Sequence, residues 1–182
     1  LTKGGRLNNR RIVRKVKGLF GAALVLVLGC QRPQSEPVQG ESADFNPASD
    51  SAAIVQMLDR WHALAAAGDS AYFDHFTLNG VFIGTDVTER WGLAEFRTWS
   101  RPFFQRGEAW SFVPRERRVV FSDRGDIAWF DEVLDTWMGP CRSTGVVLKQ
   151  GEAWRIAHYQ LSVTVPNDSI HGFRRSIWGL GE

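Results

Sequence analysis

An α+β domain, with helices covering one face of a curved antiparallel sheet, is the fold class this sequence predicts. Two observations carry it. Between residues 50 and 104 the apolar spacing is mostly helical, whereas from Trp110 onward it takes period two, the spacing of strands. The later segments are parted only by "SDRGD", "GP" and "GE", and turns that short make consecutive strands antiparallel neighbours. At 182 residues, with 43% apolar and 12% aromatic content, the chain can bury one sizeable core rather than two.

Residues 1–29 stand apart from the rest. They hold seven basic side chains (Lys3, Arg6, Arg10, Arg11, Arg14, Lys15, Lys17) and no acid. The formal charge of +2 therefore hides a remainder with 15 basic and 20 acidic residues, a net −5. That balance argues against nucleic acid as a partner, because phosphate binding needs a basic surface. The apolar run "LFGAALVLVLG", 19–29, is about half the roughly 20 residues a bilayer-spanning helix needs, and it fits the h-region of an export signal. Its end, "VLGC", resembles the lipobox of bacterial lipoproteins, in which cleavage precedes the cysteine and the thiol carries lipid. The resemblance implies a signal peptide over 1–29, lipid attachment at Cys30 and a membrane-anchored, cell-envelope protein. With Gln31 rather than Asp after the cysteine, it further implies the periplasmic side of the outer membrane in a Gram-negative cell.

Residues 30–49, rich in Pro, Ser, Gln and Glu after Cys30, are expected to form the lipidated N-terminus and a flexible tether. The folded domain is expected over 50–168. Ser49 or Asp50 can cap a first helix burying Ile54, Met57, Leu58, Trp61 and Leu64, which Gly68 ends. Asp69 can start a shorter helix through Tyr72, Phe73 and Phe76. "GVFIG", 80–84, suits a short strand. A third helix over 93–104 should bury Leu93, Phe96, Ser100 and Phe103, with Pro102 bending it. Four strands follow, about 110–121, 127–138, 142–150 and 153–165. The arginines at 115, 117 and 118 are expected to line a solvated strand face. Residues 169–182 form a tail with too few apolar positions for a core of its own.

"FIGTDVTERW" (82–91), "AWFDEVLD" (128–135), "CRSTGVVL" (141–148) and "WRIAHYQLSVTVPND" (154–168) together resemble the SnoaL-like branch of the nuclear transport factor 2-like (NTF2-like) superfamily. The resemblance implies a cone-shaped fold with about three helices on the concave face of the sheet. That fold hosts isomerases, cyclases, dehydratases and non-enzymatic binders, so it does not choose a reaction.

Candidate site residues follow from strand register. Two-residue turns at Gly139-Pro140 and Gly151-Glu152 would align Leu134, Gly145 and His158, with Glu132, Val147 and Ile156 alongside, all on one face. Glu132 is the misfit on that apolar face. Gly145 would leave space for it to meet His158, directly or around a ligand, as proton abstraction or dehydration would need. The other outcome is a buried, satisfied Glu and His that fix packing. Gln160 would anchor a polar end of a ligand, and Arg142 would help only if the strand end curls. Trp61, Phe82 and Phe103 would line the walls. His62 is expected on the exposed side of its helix, and Cys141 as a small buried apolar residue. Four scattered histidines make no zinc pattern, and Gly-rich phosphate loops are missing, so neither metal nor cofactor is expected.

Three functions are open at this point. The first is a lipid-anchored domain binding a small molecule, and the second an acid/base isomerase, dehydratase or cyclase using Glu132 and His158. The third is a homodimeric interaction module with a non-functional pocket, its convex face carrying Trp129 and Trp137.

Overall fold

The computed structural model describes residues 45–180. The expected export signal, Cys30 and the tether up to residue 44 lie outside the described residues.

Helix α1 (Pro47–Ala66) starts three residues before the expected Asp50, because Asn46 is its cap. The Asn46 side chain accepts from the backbone N–H groups of Ala48 and Ser49 at 3.1 and 3.2 Å, satisfying donors the first turn leaves open. Asp50 is thereby freed for another task. Its Oδ1 accepts from Lys149 Nζ at 2.9 Å and Trp154 Nε1 at 3.0 Å, and its Oδ2 from Asn46 N–H at 3.0 Å. Burial works to raise the Asp50 pKa, but Lys149, Asn46 and Trp154 outweigh it and hold the carboxyl below its ordinary value.

After α1, a short 3-10 turn (Ser70–His75) capped by Asp69 leads into β1 (Phe76–Ile83). A three-residue strand that the sequence did not announce, β2 (Arg90–Gly92), pairs antiparallel with β1. Helix α2 (Leu93–Phe104) has the expected bounds and buries Phe96, Ser100 and Phe104. Strands β3 (Val113–Phe121), β4 (Ile127–Thr136), β5 (Gly139–Gln150) and β6 (Ala153–Val163) form the meander. The six strands make one sheet in the order β2-β1-β6-β5-β4-β3, with β1 parallel to β6 and every other pair antiparallel. The sheet is therefore mixed rather than wholly antiparallel.

Two details of register decide which side chains reach the interior. The two-residue turn between β4 and β5 is Trp137-Met138, not Gly139-Pro140, since Thr136 pairs with Gly139. Thr136 Oγ1 pins it, donating to the Gly139 carbonyl at 2.9 Å and accepting from Met138 N–H at 3.0 Å. Glu132 consequently faces Ser143 instead of Val147, a slip of four residues that leaves it on the expected face. The β5–β6 turn at Gly151-Glu152 forms as expected, with Gln150 opposite Ala153 and Val147 opposite Ile156, and Gly151 takes a φ of 62°. Beyond Ile156 a bulge inserts Ala157, so Val146 pairs with His158 and Gly145 with Tyr159. That single extra residue turns His158 to the outer face and Tyr159 inward.

The helix-facing side of the sheet, with α1 and α2, encloses the core around Trp61, Tyr72, Phe96, Phe130, Ile156 and Tyr159. Cys141 is among the fully buried residues. The tail forms a helix, α3 (Ile170–Trp178), which has no buried residue.

Candidate functional site

Among the described residues, the inner sheet face carries one carboxylate that is wholly enclosed, Glu132, at 0% exposure. Three elements converge on it from around β4. From α1, His62 Nε2 lies 2.8 Å from Oε1; an ionised carboxylate only accepts, so that nitrogen carries the proton and donates. From β5, Ser143 Oγ donates to the same oxygen at 2.9 Å. From β3, Arg117 Nε donates to Oε2 at 2.8 Å, with Nη2 at 2.7 Å. The guanidinium continues outward through Nη1 to Asp59 Oδ1 at 2.7 Å and to the Val55 carbonyl at 3.2 Å, both on α1. Burial pushes the Glu132 pKa up, but the hydrogen bond and charge of His62, then Arg117, outweigh it and leave the carboxyl below its ordinary value. The arrangement clamps α1 to three strands. With donors on both oxygens and no exposed surface, Glu132 is closed off from a substrate in solvent.

This geometry corrects the expected dyad. His158 projects from the outer face of β6, and the space over Gly145 is not open. A Cβ built on Gly145 would stand 2.5 Å from Phe130 Cε1, so the Phe130 ring already fills it. The partner of Glu132 is His62, 5% exposed rather than solvent-facing. The sequence does hold a signal for it, because His62 follows Leu58 by four and so shares the apolar stripe of Ile54, Leu58 and Ala65. Arg117 likewise departs from its expected solvated face, being 8% exposed where Arg115 and Arg118 are 62% and 67%. An irregularity between Pro114 and Glu116 separates Arg117 from the alternation that Arg115 begins.

The other predicted residues scatter. Trp61 is core, stacked on Tyr72 at 4.9 Å and edge-on to Tyr159 at 4.7 Å. Gln160 is exposed. Arg142 bonds Asp131 Oδ1 at 2.9 Å across the outer face, and the strand end does not bring it inside. Phe82 and Phe103 do line a pocket, as expected.

That pocket lies under α2, with a volume of about 260 Å³. Its wall carries four of the molecule's eight tryptophans, Trp91, Trp99, Trp110 and Trp137, together with four phenylalanines. β2 supplies Trp91, α2 supplies Trp99 and Phe103, and the β4–β5 turn supplies Trp137. Trp137 is 84% exposed at the mouth, a correction to its expected place on the convex face beside Trp129. The sequence missed Trp91, Trp99, Trp110 and Trp137 as pocket residues because they belong to four separate segments that only the fold assembles. Glu89, half-buried, is the one charged side chain in the wall. Among the described residues no group of three or more His, Cys, Asp or Glu side chains comes together to hold a metal ion, and no helix is long and apolar enough to cross a membrane.

Comparison with known proteins agrees with this architecture. A family model described as SnoaL-like domain matches residues 54–166. Among solved structures, the chain is similar to an NTF2-like protein of unknown function from Pseudomonas putida KT2440, with 16% identity over 68% of this chain and 92% of that one and a TM-score of 0.55. A Novosphingobium aromaticivorans protein described as an aromatic ring hydroxylase gives 18% identity over 67% and 94%, with a TM-score of 0.56. A second protein from that organism, described as a scytalone dehydratase, gives 12% over 65% and 86%, with a TM-score of 0.54. At such identities the likeness is one of fold. No curated protein matches the chain.

Proposed function

The chain belongs to the SnoaL-like domain family, and from that premise we propose that it is a lipid-anchored protein of the bacterial cell envelope that binds a small molecule in the pocket under α2. The observation that carries this reading is the pocket wall itself. Eight aromatic rings surround about 260 Å³ with half-exposed Trp99 and largely exposed Trp137 at its opening, whereas monomer surfaces normally keep such side chains covered. Binding rather than turnover fits the chemistry available, since the enclosed carboxylate is held by His62, Ser143 and Arg117, is closed to solvent and does not line the pocket.

Toluene provides a test. Tryptophan emission of the full chain should change saturably on titration, and Ala109→Phe, which fills the pocket from its wall, should remove the response. An unchanged titration in the filled variant would reject the site. The anchoring half of the proposal rests on the basic segment, the short apolar run and the "VLGC" ending. Cys30→Ser should move the protein from the membrane fraction to the soluble one; unaltered fractionation would refute it.

A further inference from the structure

From the charge and composition of the pocket wall we infer that its ligand is an organic cation, a quaternary or tertiary ammonium group carrying a short apolar substituent. The inference rests on the pocket reading above and adds the sign of the ligand's charge.

Aromatic rings attract a cation to their faces through the ring quadrupole, most strongly for Trp and where water is displaced. Part of the wall is stacked, with Phe82 on Phe96 at 4.0 Å and 14° and Trp91 on Trp99 at 4.4 Å and 29°, and part of it is inclined. Trp99 and Phe103 lie 5.2 Å apart at 37°, Phe103 and Trp110 6.5 Å apart at 61°, and Phe82 and Trp110 6.4 Å apart at 42°. The inclined rings turn the wall, so that a compact group among them meets aromatic surface from more than one direction. One of these rings already seats a cation elsewhere on its surface: the Arg106 guanidinium lies 4.9 Å from the centre of the Phe103 ring.

Glu89 gives the pocket its sign. No Lys, Arg or His lines the pocket, and no described Lys or Arg forms an ion pair with Glu89. The turn before β2 fixes the carboxylate. Glu89 Oε2 accepts from Asp86 N–H at 3.2 Å, and the Glu89 backbone exchanges bonds with Gly84 and Asp86 at 2.9 Å each. Gly84 leaves room for the carboxylate in this position, as a Cβ there would stand 2.1 Å from Oε2 and displace it. Asp86, exposed on the same turn, adds a second negative charge near the mouth. An anion would meet both π faces and a carboxylate, a neutral group would gain burial alone, and an ammonium gains burial and both electrostatic contributions.

Three probes of matched shape separate these outcomes on the full chain: choline, its uncharged carbon counterpart 3,3-dimethyl-1-butanol, and the anion 3,3-dimethylbutanoate. By titration calorimetry or tryptophan emission, choline should bind about tenfold more tightly than the alcohol, with the anion weakest. Glu89→Gln, whose amide oxygen can keep the bond from Asp86, should erase most of that preference and leave the alcohol's affinity unchanged. If the alcohol binds as well as choline, the cation inference falls while the pocket stands. If neither binds and toluene also fails, the pocket falls with it; if toluene binds and choline does not, only the cation is refuted.

Discussion

Beneath α1 the inner sheet face holds a carboxylate with donors on both oxygens and no exposed surface, whereas beneath α2 the same side of the sheet ends in aromatic rings open to solvent. The first region places its charge where the protein satisfies it completely; the second places apolar surface where the protein leaves it uncovered. Buried charge is retained here by its partners and serves packing, and uncovered aromatic surface is the feature left for another molecule. The ionisable residue that draws the eye in the sequence thus belongs to the scaffold, and the rings that resemble core line the site.

The sharpest way to break this contrast is to remove one partner from the clamp. Arg117→Met should destabilise the domain by about 3–5 kcal/mol, because it strands the Glu132 charge in the interior. Urea unfolding measures the loss, and any variant that still folds should bind toluene as before. Ser143→Ala removes a single donor from the same carboxylate and should cost about 1.5–3 kcal/mol by the same measurement.

Acid supplies a graded version of the same test. Glu132 and Asp50 both have folded-state pKa values below their ordinary ones. The stability they contribute is therefore fully present above the unfolded-chain carboxylate range of about 4 and is lost as pH falls through the lower folded values. Glu132→Gln should be less stable at neutral pH and show a shallower loss of stability on acidification. Trp137→Ala lies at the other extreme: with 84% of the side chain exposed, stability should change by no more than about 0.5 kcal/mol while toluene binding weakens. A large stability loss there would mean that Trp137 is scaffold, and the two regions would no longer differ.

Helix α2, the bounds of α1 near Gly68, the four-strand meander and the burial of Glu132 were legible because period and turn chemistry are local properties. The parallel β1–β6 pairing and the strand β2 were not, since each depends on a partner distant in sequence. The register failed in two different ways. A four-residue slip at Thr136 changed Glu132's neighbour and preserved its face; a one-residue bulge at Ala157 left the Gly151 turn correct and still reversed His158 and Tyr159.

By itself, then, the sequence determined helices α1 and α2, the four-strand meander, the family resemblance, and the presence of a carboxylate among apolar residues. Tertiary structure alone decided which base meets that carboxylate and which rings gather into a cavity. The physical reason is parity. Side chains alternate across a strand with period two, so one unpaired residue exchanges inside for outside, and nothing in the composition of "WRIAHYQ" marks where the extra residue falls.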